Sequence, residues 1–217
     1  MIPHRRRLDP PAQRGQPRRE GPDAWATPAC LIAALCTHVL PALPEGAIWE
    51  PAAGDGQLAA AIRAAGRRVV TSDLHPQGDS APLDFLNDTL PVESAGSVIA
   101  TNPPFHALDA FINRSLTLLD SGHTQGAALL LRHDHLTAAS RAPALNRATW
   151  QLHMNWRPRW ITGSTGQPRW SFCWVVWGEG PRCAPTYVTA PRRSSKGHRH
   201  QEAHEAALSD DQTQGQG

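Results

Sequence analysis

The segment Thr101-Asn102-Pro103-Pro104-Phe105 is the first candidate for chemistry, and it follows the apolar run 97–100. This run predicts a buried strand, which two consecutive prolines must end because they remove two backbone donors and fix φ. Proline also keeps the preceding residue extended, so the Asn102 amide and nearby carbonyls would face out of the sheet edge. They can accept hydrogen bonds from an amino group while the Phe105 ring stacks on a flat heterocycle. An ordinary strand-to-helix turn is the alternative.

A second candidate is the small-residue loop Glu50-Pro51-Ala52-Ala53-Gly54-Asp55-Gly56, which follows an apolar run and precedes helical spacing from Leu58 to Ala65. Such a strand, loop and helix begin a β-α-β unit in which the backbone can approach a ligand closely. Residues 68–72 predict the second strand, which ends at Asp73. An acid about 20 residues after the glycine loop is positioned to hold ribose hydroxyls. The glycine pair alone is also typical of a simple turn, and the acid favours a nucleoside cofactor.

Two further segments could contribute to a ligand site. Asp84 and Phe85 lie at a predicted strand end, where a carboxylate can bond an adenine amino group and a ring can cover its face. Phe85 in the core with Asp84 as a cap is the alternative. Thr27 and Pro28 precede an apolar helical pattern from Leu31 to Leu40, which predicts Thr27 as the N-cap and Pro28 as the first helical residue.

The elements that position these residues follow from hydrophobic periodicity. Apolar spacing predicts a helix from Leu108 to Leu119, a central strand from Ala127 to Leu131 and a helix over 140–153. Strands that alternate with helices indicate an α/β fold with a mostly parallel sheet.

The C-terminal part of the pattern predicts an antiparallel hairpin. Residues 159–163 and 171–177 read as two strands that bracket a loop of turn-forming residues. The loop carries Arg169 and Trp170, which could contact a base or a phosphate backbone. A solvated loop tip is the alternative.

No metal site is assigned from the sequence. His133 and His135 flank Asp134 at a predicted strand end, but no further ligand cluster lies nearby in sequence. The four cysteines form no Cys-x-x-Cys pair, so we interpret them as reduced thiols.

Length and composition indicate one domain. The chain has 217 residues, of which 40% are hydrophobic, and its apolar runs are too short to cross a bilayer. Residues 1–22 are basic and without periodicity, and residues 179–217 are polar, so we predict a domain over 23–178 between two disordered tails. The first arginines precede no apolar segment, which leads us to expect no secretory signal, no membrane association and a cytoplasmic location.

Charge is unevenly distributed along the chain. Residues 23–102 contain three arginines and nine acidic residues, whereas residues 103–177 contain seven arginines and three acidic residues. The basic second half could face a polyanion such as nucleic acid, and a solvated arginine-rich surface is the alternative.

These motifs together resemble a known family. The loop 50–56, Asp73, Asp84-Phe85 and the Asn-Pro-Pro-Phe segment (102–105) stand in the order and spacing of amino-directed methyltransferases that use S-adenosylmethionine. They are most similar to adenine-N6 DNA methyltransferases, and residues 23–28 are similar to the cofactor-side motif of those enzymes. The resemblance covers residues 23–177. It implies a Rossmann-like class I methyltransferase fold, with a mostly parallel seven-stranded sheet flanked by helices and a terminal antiparallel hairpin.

The resemblance implies a role for each matching residue. The implied catalytic residues are Asn102, Pro103, Pro104 and Phe105, of which the first two would bond the target amino group and Phe105 would stack on an extruded base. Asp73 would hold the ribose hydroxyls of S-adenosylmethionine. The full set implied to bind this cofactor is Thr27, Pro28, Glu50, Pro51, Ala52, Gly54, Gly56, Asp73, Asp84 and Phe85.

The sequence also departs from the DNA enzymes. The interval between Gly56 and Asn102 is short and no long insertion follows Phe105, so a separate target-recognition domain is missing. Phe105 followed by His106 is similar to ribosomal RNA guanine-N2 methyltransferases, and release-factor glutamine methyltransferases share an Asn-Pro-Pro-aromatic segment. The primary interpretation is methylation of adenine N6 in DNA. An RNA guanine-N2 methyltransferase and a catalytically silent nucleic-acid-binding module are the alternatives, whereas a nicotinamide enzyme is disfavoured because the third glycine of its fingerprint is missing.

Overall fold

The centre of the structure consists of strands that are apolar on both faces. The structure is a computed structural model, and it describes residues 26–87, 89–160, 168–179 and 188–190. All five residues of the strand Ser97–Thr101 are buried, and its neighbour Thr124–Arg132 is buried from Gly126 to Leu131. Strands of this kind need a layer of helices on each side, because both rows of side chains must be removed from water.

The described residues form one sheet of eight strands. The strands are β1 (Ile48–Glu50), β2 (Val69–Asp73), β3 (Ala81–Pro82), β4 (Ser97–Thr101), β5 (Thr124–Arg132), β6 (Trp150–Met154), β7 (Phe172–Gly178) and β8 (Val188–Ala190). Their order across the sheet is β3-β2-β1-β4-β5-β7-β6-β8. Neighbours are parallel except that β7 is antiparallel to both β5 and β6. The predicted mostly parallel sheet with an antiparallel pair towards its end is therefore confirmed, and a short eighth strand extends its edge.

Helices cover both faces of the sheet. They are α1 (Ala29–Ala34), α2 (Gln57–Ala64), α3 (Leu108–Asp120) and α4 (Ala142–Leu145), and α1 continues through a π-turn (Leu35–Val39) and a 3₁₀ turn (Leu40–Ala42). Further 3₁₀ turns are Val92–Ser94, Phe105–Ala107, His133–Thr137 and Ala139–Arg141. Among the described residues, no helix is long and apolar enough to cross a membrane.

The two helical layers explain the burial pattern of the strands. Ile48 packs with α1 and α2 in one core, whereas its neighbour Trp49 packs with α3 in the other. The same alternation separates Val98 from Ile99, because successive side chains of a strand point to opposite faces. Burial of each large apolar side chain contributes about 1.5–3 kcal/mol, so this alternation stabilises both layers.

The segment after β5 differs from its prediction. The predicted helix over 140–153 is wrong, because only Ala142–Leu145 is α-helical and Trp150–Met154 is the strand β6. Leu152 and Met154 are buried and are separated by the partly exposed His153, which is the period of a strand.

The predicted antiparallel hairpin has a different first strand in the structure. The strand β7 lies close to the predicted 171–177, but its antiparallel hairpin partner is β6 rather than 159–163. Arg159 and Trp160 lie outside any strand, and 161–163 lie outside the described residues. The tail predicted over 179–217 contributes Val188–Ala190 as β8. The N-terminal tail and most of the C-terminal tail lie outside the described residues, so their disorder stays a prediction.

Candidate active site

A cavity of about 500 Å³ opens at the carboxyl ends of β1, β2 and β4. The chain leaves these neighbouring parallel strands in different directions, and such points of an α/β sheet are where ligands bind. The cavity is lined by Ala26, Thr27, residues 50–55, Leu58, residues 73–75, Gln77, residues 83–86, residues 102–107 and Phe111. All four predicted catalytic residues and most of the predicted cofactor residues are therefore brought together. In the part of the chain that the structure describes, Pro28 and Gly56 are not among the residues that line this cavity.

Glu50 carries an unusual carboxyl group at the end of β1. Its side chain is 98% buried, and its Oε2 accepts no hydrogen bond from the described residues. Burial raises the pKa of Glu50 to about 9, an effect that the Ala59 backbone N–H and Arg63 oppose and that Asp55 and Asp73 reinforce. A buried carboxyl of this kind is a fitting partner for a cationic group of a ligand, because a nearby positive charge favours its ionised form.

Asp73 organises the glycine loop beside the cavity. Its Oδ2 accepts a 2.8 Å hydrogen bond from the Gly54 backbone N–H, and its Oδ1 accepts one of 2.8 Å from the His75 backbone N–H. Gly54 has a φ of +53°, a conformation that side chains rarely adopt. Gly56, with a φ of +78°, precedes the first residue of α2 as its N-cap. Asp73 thus lines the cavity and also holds the glycine loop in place. Gly56 instead adopts the left-handed conformation with which the loop turns into α2.

Asp84 and Phe85 line the cavity but also make structural contacts. The carboxylate of Asp84 accepts hydrogen bonds from the Asn87 side chain and the Leu86 backbone N–H, and these bonds lower its pKa. Phe85 is buried, with its ring centroid 5.2 Å from that of Trp49 in an edge-to-face arrangement. Both the adenine-binding interpretation and the structural alternative therefore agree with their positions.

Thr27 and Asn102 are joined by a hydrogen bond across the site. The Asn102 Nδ2 donates to Thr27 Oγ1 at 3.1 Å, and Thr27 is buried, so water competes little for the bond. The prediction that Thr27 caps α1 with Pro28 inside it is wrong, because α1 begins at Ala29 and Pro28 occupies the N-cap position. The extended ψ of 134° at Pro28 delays the helix by one residue. The threonine hydroxyl instead orients the amide of the Asn-Pro-Pro-Phe segment.

Phe105, which lines the cavity, also belongs to an aromatic–arginine cluster that we define as Phe105, Arg132, Trp160, Arg169 and Trp170. The Arg132 guanidinium lies 5.6 Å from the Phe105 ring centroid and 4.8 Å from that of Trp170. The rings of Phe105 and Trp160 meet edge to face with centroids 6.1 Å apart, and Arg169 lies 5.2 Å from the Trp170 ring. The sequence singled out Arg169 and Trp170, but it did not connect them or Trp160 with Phe105.

Ion pairs determine where the excess positive charge of residues 103–177 lies. The three acidic residues of this half are all paired, as Arg132–Asp134, Arg141–Asp109 and Arg147–Asp120. The excess charge is therefore carried by other arginines, and Arg157, Arg159 and Arg169 are exposed. They neighbour Trp160 and Trp170 in sequence, so positive charge and aromatic rings lie close together along residues 157–160 and 169–170.

The architecture defines the class of fold. The order β3-β2-β1-β4-β5-β7-β6, with β7 antiparallel to its neighbours, is that of the Rossmann-like class I methyltransferase fold, which confirms the predicted fold class. Among solved structures, a putative class I S-adenosylmethionine-dependent methyltransferase from Listeria monocytogenes is similar, with a TM-score of 0.55 over 84% of this chain and 71% of that chain. Sequence identity to it is 11%, so the likeness concerns the fold. No protein-family model and no curated protein matches the chain.

Proposed function

We propose that this protein is an S-adenosylmethionine-dependent methyltransferase that modifies the N6 amino group of adenine in DNA. The observation that carries the proposal is the oriented amide of Asn102 at a cavity that also contains Glu50 and Asp73. This combination supplies an acceptor for an amino group beside groups suited to a cationic nucleoside. No metal is needed for such a transfer.

The cavity residues fit the cofactor. Glu50 presents a buried carboxyl oxygen without a hydrogen-bond donor among the described residues, which suits an ammonium group. Asp73 faces the cavity with a carboxylate whose remaining lone pairs can accept ribose hydroxyls. Asp84 and Phe85 also line the cavity and would bond and cover the adenine. The bound cofactor would supply a methyl group on a sulfonium sulfur. The amino nitrogen would bond to this methyl carbon as the carbon–sulfur bond breaks, so S-adenosylhomocysteine would leave and the nitrogen would give up one N–H proton to solvent.

Asn102 and Pro103 would prepare that nitrogen. The lone pair of an exocyclic amino group is delocalised into its ring, so the group is a weak nucleophile. The Asn102 Nδ2 donates a hydrogen bond to Thr27 Oγ1. Because this bond engages the amide nitrogen, the amide oxygen is the atom that would accept a hydrogen bond from the target amino group. Together with the Pro103 carbonyl it would bond both amino hydrogens and favour a pyramidal nitrogen with a localised lone pair. Pro104 keeps these acceptors rigid.

The aromatic–arginine cluster supports a nucleic acid as the substrate. Rings interleaved with guanidinium groups bind bases by stacking and phosphates by charge. A base within a duplex must be extruded to reach a cavity, which costs a few kcal/mol, and stacking on Phe105 would offset part of this cost. The exposed Arg157, Arg159 and Arg169 are suited to hold the flanking phosphates.

The test is a transfer assay with tritiated S-adenosylmethionine. The purified protein is given unmethylated duplex DNA, single-stranded DNA, total RNA or a protein extract, and modified nucleosides are identified by mass spectrometry. We expect N6-methyladenine in DNA, no product with Asn102→Ala and an unchanged product with Asn113→Ala, an exposed control on α3. Label in RNA or protein alone would contradict the substrate. The absence of both transfer and S-adenosylhomocysteine binding would contradict the function itself.

A further inference from the structure

We propose that His133, His153 and Cys173 form a zinc site where β5 and β6 end and β7 begins. One donor atom from each of the three side chains lies within 4.8 Å of the other two. None of the three lines the cavity described above. The proposed site is therefore separate from the transfer chemistry and does not depend on it.

The strand register brings the three residues together. His153 of β6 lies directly opposite Cys173 of β7 in the antiparallel ladder, so the two side chains share a face of the sheet. His133 follows the last residue of β5, and its backbone N–H donates a 3.0 Å hydrogen bond to the Ser171 carbonyl just before β7. Three strands thus deliver one ligand each to the same point.

The distances between the donor atoms of the three side chains suit a metal ion with tetrahedral coordination. The facing ring nitrogens, Nε2 of His133 and Nδ1 of His153, lie 3.0 Å apart. Zinc bonds of about 2.0–2.3 Å imply ligand atoms about 3.3–3.8 Å apart in a tetrahedron. The two histidine nitrogens need to separate by a few tenths of an ångström, and the sulfur needs to approach them by up to about 1.2 Å. Such shifts are within reach of side-chain rotation.

The outer nitrogens of both rings already have the partners that metal-binding histidines require. The Nδ1 of His133 lies 3.0 Å from Ser171 Oγ, and the Nε2 of His153 lies 2.9 Å from Gln151 Oε1. Oxygen partners at these positions fix the ring orientation and direct the other nitrogen towards a metal.

The donor set determines the metal and its role. Two imidazoles and one thiolate favour zinc over magnesium or calcium, which prefer oxygen ligands. A water molecule or an added small ligand can complete the coordination. The metal would tie together the end of β5, the end of β6 and the start of β7. The turn that follows His133 reaches the cluster, because the His135 ring contacts the Phe105 ring with centroids 5.5 Å apart. Its role is to stabilise this end of the three strands.

The test measures zinc and cobalt binding by the full-length protein. After removal of metals by a chelator and dialysis against ZnSO₄, we expect one zinc ion that is lost in Cys173→Ala and retained in Cys36→Ala, a half-buried control thiol on the other face. Cobalt substitution should produce a thiolate-to-metal charge-transfer band that disappears in Cys173→Ala and persists in Cys36→Ala. His153→Asn should lose zinc and His38→Asn should retain it.

A measurement on the wild-type protein keeps the test independent of folding defects in the variants. X-ray absorption of the zinc complex should show one sulfur at about 2.3 Å and two nitrogen ligands at about 2.0–2.1 Å. A shell of nitrogen and oxygen alone would assign the zinc to histidines elsewhere in the chain and overturn the proposal. Failure to retain any zinc would overturn it as well and leave the three residues as a hydrogen-bonded network.

Discussion

Replacement of Glu50 by glutamine should stabilise the cofactor-free protein near neutral pH. Burial raises the pKa of Glu50 to about 9, compared with 4.5 for an unperturbed glutamate. Between these two values the unfolded chain carries the ionised carboxylate, whereas the folded protein retains the proton. The folded state therefore binds more protons, and its stability falls as the pH rises from about 4.5 to about 9.

The size of the effect follows from the same shift. Each pH unit within this window costs about 1.4 kcal/mol, so the carboxyl destabilises the folded protein by on the order of 3 kcal/mol at pH 7. Glutamine preserves the shape of the protonated side chain and does not ionise, so Glu50→Gln removes this penalty. Below about pH 4.5 the penalty is absent, and the two proteins should be equally stable.

Urea unfolding without cofactor at several pH values between 5 and 8 measures the difference. We expect the unfolding free energy of Glu50→Gln to exceed that of the wild type by an amount that grows with pH. The slope of the unfolding free energy against urea concentration (the m-value) should be the same in both proteins. The exposed Glu45→Gln should show no such trend. A gain that is independent of pH, or a loss, would mean that Glu50 is ionised in the folded protein and would refute the reasoning.

The same carboxyl should couple cofactor binding to proton release. A cationic ligand group beside Glu50 would favour its ionised form, so S-adenosylhomocysteine binding at pH 7 should release up to about one proton. Calorimetry in buffers of different ionisation enthalpy measures this number. Glu50→Gln should bind more weakly and release none, and equal proton release by both proteins would exclude Glu50 as the source.

Four other substitutions test the remaining parts of the site. Asn102→Ala should abolish transfer and leave S-adenosylhomocysteine affinity within a few fold by calorimetry, and the reverse pattern would contradict its role. Asp73→Ala should instead weaken that affinity by on the order of tenfold or more, since it removes a charge-assisted hydrogen bond from the Gly54 N–H. Thr27→Val keeps the side-chain shape but removes the acceptor of Asn102 Nδ2, so kcat should fall more than cofactor affinity. Trp170→Ala should weaken DNA binding by about 1–3 kcal/mol in fluorescence anisotropy, and unchanged binding would exclude a stacking role.

Much of the fold could be predicted from local patterns. The apolar runs at β4, β5 and β7 were recognisable because strands buried on both faces carry continuous hydrophobic residues. The loop 50–56 and the segment 102–105 follow such strands, and parallel strands deliver their following loops to one edge. Their meeting at one cavity therefore follows from the fold class. The strand β6 was missed because its five residues combine buried and half-buried side chains in a pattern too short to separate from a helix.

The amino-acid sequence by itself determined the class of fold and which motif segments end at the same edge of the sheet. Only the tertiary structure decided that Thr27 orients Asn102, that Trp160 joins Phe105, and that His133 meets His153 and Cys173. These contacts connect residues that are 20 to 75 positions apart. Hydrophobic periodicity reports the local backbone and its buried face. The pairing of two polar side chains across the fold depends on strand order and register, which local patterns do not specify.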